Sequence, residues 1–161
     1  MIGQLGSTAI ASVGLGNQFT MIYIMVIQGI AGGVGIFAAQ YWGKRYVKNI
    51  RQTFSIGLRF SLGVGVLFSV LTTLFAPFII SMYTKDAKVQ ELGGHYLFIV
   101  GLSYIFLSIT WTYAAILRST KLVVLPLISS VTALAINTFL NYCLILGNFG
   151  FPALGVTGAA I

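Results

Sequence analysis

An all-α membrane protein, built as a bundle of several spanning helices, is the structure that this sequence predicts. Of its 161 residues, 58% are hydrophobic and only 7% are charged, whereas an ordinary soluble domain is about 25% charged. So few charges would not cover the surface of a soluble globule of 17.3 kDa. The long apolar runs are continuous rather than alternating, which favours helices over the strands of an outer-membrane barrel.

Four stretches are long and apolar enough to cross the hydrocarbon core, which takes about 20 residues as a helix. They cover residues 7–41, 54–83, 93–117 and 122–146, and a fifth apolar stretch covers 155–161. The first stretch is longer than one untilted crossing requires, so we expect it to bend or to extend into the interface. Pro126, near the start of the fourth span, is expected to produce a slight kink.

Basic residues lie in alternate loops and predict the orientation of the bundle. Loops 42–53 and 118–121 contain basic residues and no acid: Lys44, Arg45, Lys48, Arg51, Arg118 and Lys121. Because short cytoplasmic loops carry the Lys/Arg excess, we expect these two loops to be cytoplasmic. Loop 84–92, whose charges balance, and loop 147–154, which has none, are then extracytoplasmic.

The basic stretch also indicates what the chain meets at the membrane surface. Anionic lipid headgroups of the inner leaflet are the natural counter-charge for Lys44–Arg51. Nucleic-acid binding is not expected, because these charges lie between two spans. Arg59, about two turns into the second span, is expected to extend its guanidinium back to the cytoplasmic surface.

The predicted orientation places Met1 outside the membrane, with no signal peptide at the start. An additional helix upstream would restore a cytoplasmic start. At the other end, the chain stops inside an apolar stretch at Ile161. We therefore interpret the sequence as a fragment or a truncated gene product.

Amides are the main polar groups within the spans, since no Asp, Glu, Lys or His lies deep in one. Proton relays, metal hydrolysis and paired-carboxylate catalysis need such ionisable groups, so neither an enzyme nor a catalytic residue is predicted. Asn137 and Asn141 are four residues apart on the fourth helix and share one face, with Asn137 near the middle of the membrane. The pair predicts either hydrogen bonds between helices or a water-filled cavity or ion site.

Weaker candidates for the wall of a cavity are Gln18, Thr110 and Trp111. Gln18 and Gln40 lie within about 40° of one face of the first span, and Asn17 and Gln28 share a second face. Such a polar stripe lines either a cavity or a helix interface. Trp111 lies toward the inner end of the third span, where packing within the bundle is the alternative role.

Two pairs of small residues predict places where helices pack closely. Gly29 and Gly33 form a GxxxG pattern in the first span, and Gly57 and Ser61 have the same spacing in the second. Small residues at this spacing allow two helix backbones to approach each other.

Several segments resemble the multidrug and toxic compound extrusion (MATE) family of transporters. They are GLGNQ at 14–18, AAQYWGKRYVKNIRQ at 38–52, YTKDAKV at 83–89, LRS at 117–119 and, most specifically, INTFLNYCLILGNFGFPALGVTGAAI at 136–161. That family has twelve helices in two lobes of six. The chain resembles helices two to five, and the opening of helix six, of the N-terminal lobe. The additional upstream helix corresponds to the family's first helix.

The resemblance implies secondary active efflux, in which organic and often cationic drugs leave the cell against Na⁺ or H⁺ without a cofactor. It also implies a plasma membrane location, with the rest of the transporter as partner. In the family, an acid on helix one and polar residues on helices five and six form the ion site of this lobe, and Asn137 and Asn141 match the helix-five positions. Some relatives have a carboxylate where this chain has Asn141. The resemblance therefore implies that the two amides either ligate Na⁺ as neutral oxygen donors or orient the acid on helix one.

Two other functions stay open at this point. A related flippase for lipid-linked sugars would use a similar cavity between two lobes, but such a cavity is typically more basic than these spans, where Arg59 is the one cation. A non-transporting membrane module or truncated product would insert without moving substrate. With half a cavity, this chain alone is expected to be inactive.

Overall fold

The structure, a computed structural model, describes residues 7–146, and nearly all of them are helical. Within this range there is no strand. The helices are α1 (Ser7–Gly43), α2 (Val47–Ser81), α3 (Ala87–Ser119) and α4 (Val124–Leu146). All four are long and apolar enough to cross a membrane, which confirms the predicted all-α membrane helix bundle. Loop 147–154 and the apolar stretch 155–161 lie outside the described residues.

The first three helices extend past the spans that hydropathy predicts. They contain 37, 35 and 33 residues, or about 50–56 Å at 1.5 Å per residue, against a hydrocarbon core of about 30 Å. α1 is one uninterrupted helix, so the residues beyond a single crossing lengthen the helix rather than bend it. α2 begins at Val47, although the second span was predicted to begin at residue 54. Lys48 and Arg51 therefore lie on helix rather than in a loop.

Asp86 explains why α3 begins six residues before the predicted span. Its Oδ1 accepts hydrogen bonds from the backbone N–H of Lys88 at 2.9 Å and of Val89 at 3.3 Å. These N–H groups belong to the first turn, where no helical carbonyl is available to them. Asp86 is thus the N-cap of α3, a role that short acidic side chains fill well.

A kink interrupts α2 near its end. Phe75 leaves helical geometry, with φ −122° and ψ 15°, two residues before Pro77. Proline lacks the N–H that would bond to the carbonyl four residues earlier, and its ring crowds that carbonyl. Pro126, where the sequence suggested a kink, is the third residue of α4. The N–H missing there has no helical partner to lose, so the position is compatible with a straight helix.

The turn after α1 closes the helix with a Schellman motif. The N–H of Tyr46 donates to the carbonyl of Tyr41 at 2.9 Å, and the N–H of Arg45 donates to the carbonyl of Trp42 at 3.0 Å. In this motif, the residue that precedes the donor of the longer-range bond has a left-handed backbone conformation and is usually glycine. Here it is Arg45, with φ 58°.

The turn after α3 repeats the same closure. The N–H of Leu122 donates to the carbonyl of Leu117 at 2.9 Å, and the N–H of Lys121 donates to the carbonyl of Arg118 at 3.3 Å. Lys121 has φ 64°. Both basic turns therefore place a cation, rather than glycine, in the left-handed position at a helix C-terminus, where positive charge is favourable.

The described residues divide into two compact units, to both of which α1, α2 and α3 contribute. One unit comprises residues 7–21, 69–103 and 133–146. Its core is formed by Ala76, Ile80 and Leu97, against which Leu15, Phe19 and Ile79 pack. The buried Ser12 hydroxyl lies 2.8 Å from the carbonyl of Thr8 and 3.4 Å from that of Val89.

The other unit comprises residues 22–68 and 104–132. Tyr23 is fully buried there, with its ring stacked on Tyr104 at a centroid distance of 4.3 Å. The hydroxyl oxygens of Thr112 and Ser61, both buried, are hydrogen-bonded at 2.8 Å. This hydrogen bond pairs two polar groups that are buried in an apolar environment.

One of the two predicted small-residue contacts is present. A Cβ at Gly57 would overlap the side chain of Val34, so α1 and α2 approach each other there as expected. Among the described residues the GxxxG pair makes no such contact, and its close packing stays a prediction. A Cβ at Gly29 or Gly33 would have no described atom within 4 Å.

Candidate functional site

A cleft lies between α1 and α3, and one of the predicted site residues, Trp111, lines it. On α1 the cleft is lined by Gln28, Gly32 and Gly35, and on α3 by Trp111 and Arg118. Both sets follow a spacing of four and then three residues (Ala115 is the middle member on α3), which places each set on one helix face. Two facing stripes, each with large side chains and small ones, therefore enclose the space.

The cleft combines an aromatic ring, an amide and a guanidinium around a volume of about 530 Å³. This lies within the size range of small-molecule sites. Trp111 is half-buried, whereas Gln28 and Arg118 are exposed. The chemistry available is stacking or cation–π contact from the indole, hydrogen bonding from the amide, and ionic attraction of an acidic group by Arg118.

Ser119 joins the two helices at one end of the cleft. Its hydroxyl lies 2.9 Å from the carbonyl of Gly35 on α1 and 2.8 Å from the carbonyl of Ala115 on its own helix. A Cβ at Gly35 would approach Ser119 Oγ to 3.2 Å, closer than ordinary packing. The glycine thus permits the approach that holds the two walls of the cleft at this spacing.

The other two weaker candidates lie elsewhere. Thr110 is exposed, and its hydroxyl donates to the carbonyl of Phe106 on the same helix at 2.9 Å. Gln18 is also exposed, on α1. Its neighbour Asn17 accepts a hydrogen bond from the Tyr96 hydroxyl at 2.9 Å. Neither Thr110 nor Gln18 is among the residues that line the Trp111 cleft.

Asn137 and Asn141 are joined by a hydrogen bond on α4. Nδ2 of Asn141 donates to Oδ1 of Asn137 at 2.8 Å, as their spacing of one helical turn allows. Asn137 is exposed and Asn141 is half-buried. In the described part of the chain, α4 buries Cys143 and Ile145 near its end. The pair thus forms a small polar patch on a largely exposed helix.

Sequence reasoning did not assign Gln28 or Arg118 to the site. The sequence places Gln28 in a polar stripe that lines either a cavity or a helix interface, and Arg118 in a basic loop. Their helical spacing from Gly32 on one helix and from Trp111 on the other was a usable signal. The spacing does not say which helix faces which, and this pairing is what makes a cleft of the two stripes.

Comparison with known proteins gives matches over the whole chain. The family described as MatE matches residues 1–143. The chain is 28% identical over 165 residues to the "Probable multidrug resistance protein NorM" of Listeria monocytogenes, covering 99% of this chain and 35% of that protein. It is 30% identical over 161 residues to a NorM protein of Rhizobium meliloti, covering 100% and 34%. No solved structure matches significantly.

A further relative carries a less specific name. The "Uncharacterized transporter YisQ" of Bacillus subtilis is 28% identical over 163 residues, covering 100% of this chain and 35% of that protein. The chain therefore spans about a third of the length of these curated relatives. With four membrane-length helices and a family match across most of its residues, the chain belongs to the MatE family.

Proposed function

We propose that this chain forms part of the N-terminal lobe of a twelve-helix transporter that exports small organic, often cationic drugs. The supporting observation is the MatE match over residues 1–143, together with relatives named as probable multidrug resistance proteins. Because each of these relatives is about three times as long as this chain, the drug path would be lined only partly by the residues described here.

Export is driven by inward movement of Na⁺ or H⁺, with no cofactor. In this mechanism two lobes rock about a central cavity. Ion binding favours one facing state and drug binding the other, since a ligand shifts a conformational equilibrium only through its differential affinity for the two states. The present chain supplies polar groups for this cycle but no membrane-embedded acid, so a titrating group belongs to other parts of the transporter.

The asparagine pair is the proposed ion or substrate site. Its hydrogen bond already brings an amide of Asn141 against Oδ1 of Asn137. Rotation of the Asn141 amide by half a turn would replace its NH₂ with its oxygen, so that two carbonyl oxygens faced each other. A cation bridging them would remove their repulsion, and neutral oxygens are suitable ligands for Na⁺. The remaining ligands would come from the rest of the transporter.

The Trp111 cleft is proposed as a drug-contact surface on the inner side of the membrane. Its indole offers an aromatic face to planar substrates, including cationic ones. Gln28 adds a hydrogen-bonding group that tolerates different substrates. Arg118 repels a cation placed directly beside it, so a cationic drug would bind with its charge toward Trp111 and away from the guanidinium.

The proposed sidedness follows from the two basic turns. Residues 42–53 and 118–121 would be cytoplasmic and 84–92 extracytoplasmic, in a plasma membrane whose inner leaflet provides anionic lipid near Lys44–Arg51. Single cysteines at Lys44 and Lys85 test this with a membrane-impermeant maleimide on intact cells. Labelling is expected at Lys85→Cys only. Labelling at Lys44→Cys instead would reverse the orientation.

Ethidium efflux tests the proposed function. The gene is expressed with its natural flanking sequence in bacteria that lack their own multidrug pumps, and efflux is normalised to the amount of inserted protein. Asn137→Ala is expected to reduce efflux at least tenfold while insertion and thermal stability change little. Thr138→Ala is the matched control, because the Thr138 hydroxyl is exposed and bonds to its own helix at Leu134.

Two outcomes would contradict these proposals separately. No efflux by the unmutated protein would remove the transport function and favour a non-transporting membrane module. Normal efflux by Asn137→Ala would leave transport intact but reduce the asparagine pair to a structural hydrogen bond.

A further inference from the structure

One face of α2 carries three exposed cations, Lys48, Arg51 and Arg59. Together with Gln52 and Ser55 they form one continuous surface on α2, here called the basic face. At about 100° per residue the three cations lie within about 80° of arc around the helix. Their charges therefore add on one side of α2.

The helix that carries the basic face, α2, contains no acidic side chain. The sequence contains two acids, Asp86 and Glu91, and both lie at the start of α3. Asp86 is already used as the cap of that helix. Three exposed cations on one face, without an acid on the same helix, create a positive potential that attracts an anionic partner.

An apolar groove of about 390 Å³ adjoins the basic face. Ile56 lines both, and the apolar groove continues between α1 and α2 along Gly33, Phe37 and Phe60. Phe37 and Phe60 are 53% and 68% exposed, respectively. Gly33 leaves the groove open, since a Cβ there would meet no described atom within 4 Å. A long apolar ligand is therefore accommodated directly beside the cations.

We propose that this surface binds one anionic phospholipid, with its phosphate on the basic face and an acyl chain in the apolar groove. Arg51 and Arg59 are about 12 Å apart along the helix axis. Their long side chains can extend toward each other and meet a phosphate near Ser55. A free phosphate would use only the basic half of the surface, and the apolar groove beside it is what a lipid occupies in addition.

The assignment of this lipid to the inner leaflet rests on the proposed cytoplasmic placement of residues 42–53. Binding itself does not depend on transport, so the two proposals fail in different experiments. The site would hold a specific lipid at α2, in contrast to the diffuse attraction that any basic loop exerts on an anionic membrane.

Lipid binding to the full-length protein tests the proposal. Protein purified and delipidated in detergent is titrated with phosphatidylglycerol or phosphatidylcholine of the same acyl chains, and bound lipid is counted by native mass spectrometry. The unmutated protein is expected to prefer phosphatidylglycerol at least tenfold. Arg51→Gln and Arg59→Gln are each expected to weaken phosphatidylglycerol binding about fivefold, which corresponds to about 1 kcal/mol per basic residue.

Matched charge variants distinguish lipid binding at a specific site from attraction by the net charge of the protein. Lys85→Gln, just before α3, and Lys88→Gln, in the first turn of α3, remove the same charge away from the basic face and are expected to leave binding unchanged. Equal losses in these variants would overturn the proposal in favour of diffuse attraction. Full displacement of phosphatidylglycerol by millimolar inorganic phosphate would also overturn it, because the occupant would then be a free anion.

Two glycine variants test the acyl groove. Gly33→Leu fills the groove at a position with open space, and is expected to weaken binding of phosphatidylglycerol several-fold. Gly29→Leu is the control, since Gly29 also has open space but does not line the groove. Unchanged binding in Gly33→Leu would remove the acyl chain from the proposed mode.

A fluorescent label beside the proposed site, in a protein whose arginines are unmutated, keeps the proposal testable if the arginine variants fail to fold. Gly63→Cys, one turn from Arg59 and with open space around its Cβ, is made in a Cys143→Ala background, labelled with a bimane fluorophore and reconstituted with brominated lipids. Brominated phosphatidylglycerol is expected to quench the label at least twofold more than brominated phosphatidylcholine. Equal quenching by the two lipids would overturn the proposal.

Discussion

The hydroxyl of Tyr23 donates a hydrogen bond to the backbone carbonyl of Tyr104, and the two rings stack at 4.3 Å with their planes 17° apart. Tyr23→Phe keeps the stack but loses the buried donor. We expect a loss of about 1 kcal/mol in the free energy of unfolding. Thermal unfolding in detergent measures it, with the exposed Tyr113→Phe as control. Equal shifts in the two variants would argue against a role for this hydrogen bond.

Gly101 is expected to be intolerant of any side chain. A Cβ there would overlap the Thr72 hydroxyl, and Gly101→Ala is predicted to destabilise the protein by about 1–3 kcal/mol through overpacking. Gly14→Ala, where a Cβ meets open space, is expected to be neutral or slightly stabilising because alanine favours helix. Adding Thr72→Ala to Gly101→Ala should restore part of the loss, and a strictly additive double variant would contradict a direct clash.

Arg45 and Lys121 have left-handed backbone conformations, which predicts that glycine at either position increases thermal stability. Arg45→Gly and Lys121→Gly relieve the cost of a side chain at positive φ, about 1 kcal/mol each. Both are expected to raise the thermal midpoint in detergent. Lys44→Gly removes the same charge from a residue outside the left-handed region, and should give no gain. A gain of similar size at Lys44 would mean that charge, rather than backbone conformation, is responsible.

Trp111 is predicted to determine affinity for aromatic drugs rather than the rate of the transport cycle. Trp111→Ala, which removes the aromatic ring from the cleft, should raise the KM for ethidium about fivefold with the maximal efflux rate unchanged; this corresponds to about 1 kcal/mol of cation–π attraction. Trp111→Phe is expected to retain most of the affinity. Phe106→Ala, which removes an exposed ring elsewhere on α3, is the control. A fall in maximal rate with constant KM would contradict this role.

Helix ends illustrate the limit of hydropathy as a predictor. Hydropathy measures where the chain is apolar, so it locates the four spans but misses the polar turns of helix beyond them. α3 begins at Ala87 because Asp86 caps it, and α2 begins at Val47 directly after the turn that closes α1. The cap was visible in the sequence, as a short acidic side chain just before the helix.

The sequence by itself determined that the chain is an all-α membrane bundle with four long helices and two basic turns. The reason is that crossing lipid requires a local run of about 20 apolar residues whose backbone bonds are satisfied within the helix. Only the tertiary structure decided that Gly57 packs against Val34 while Gly33 stays open, and that Gln28 faces Trp111 across a cleft. These contacts depend on which helix faces meet, and residue spacing along a single helix does not contain that information.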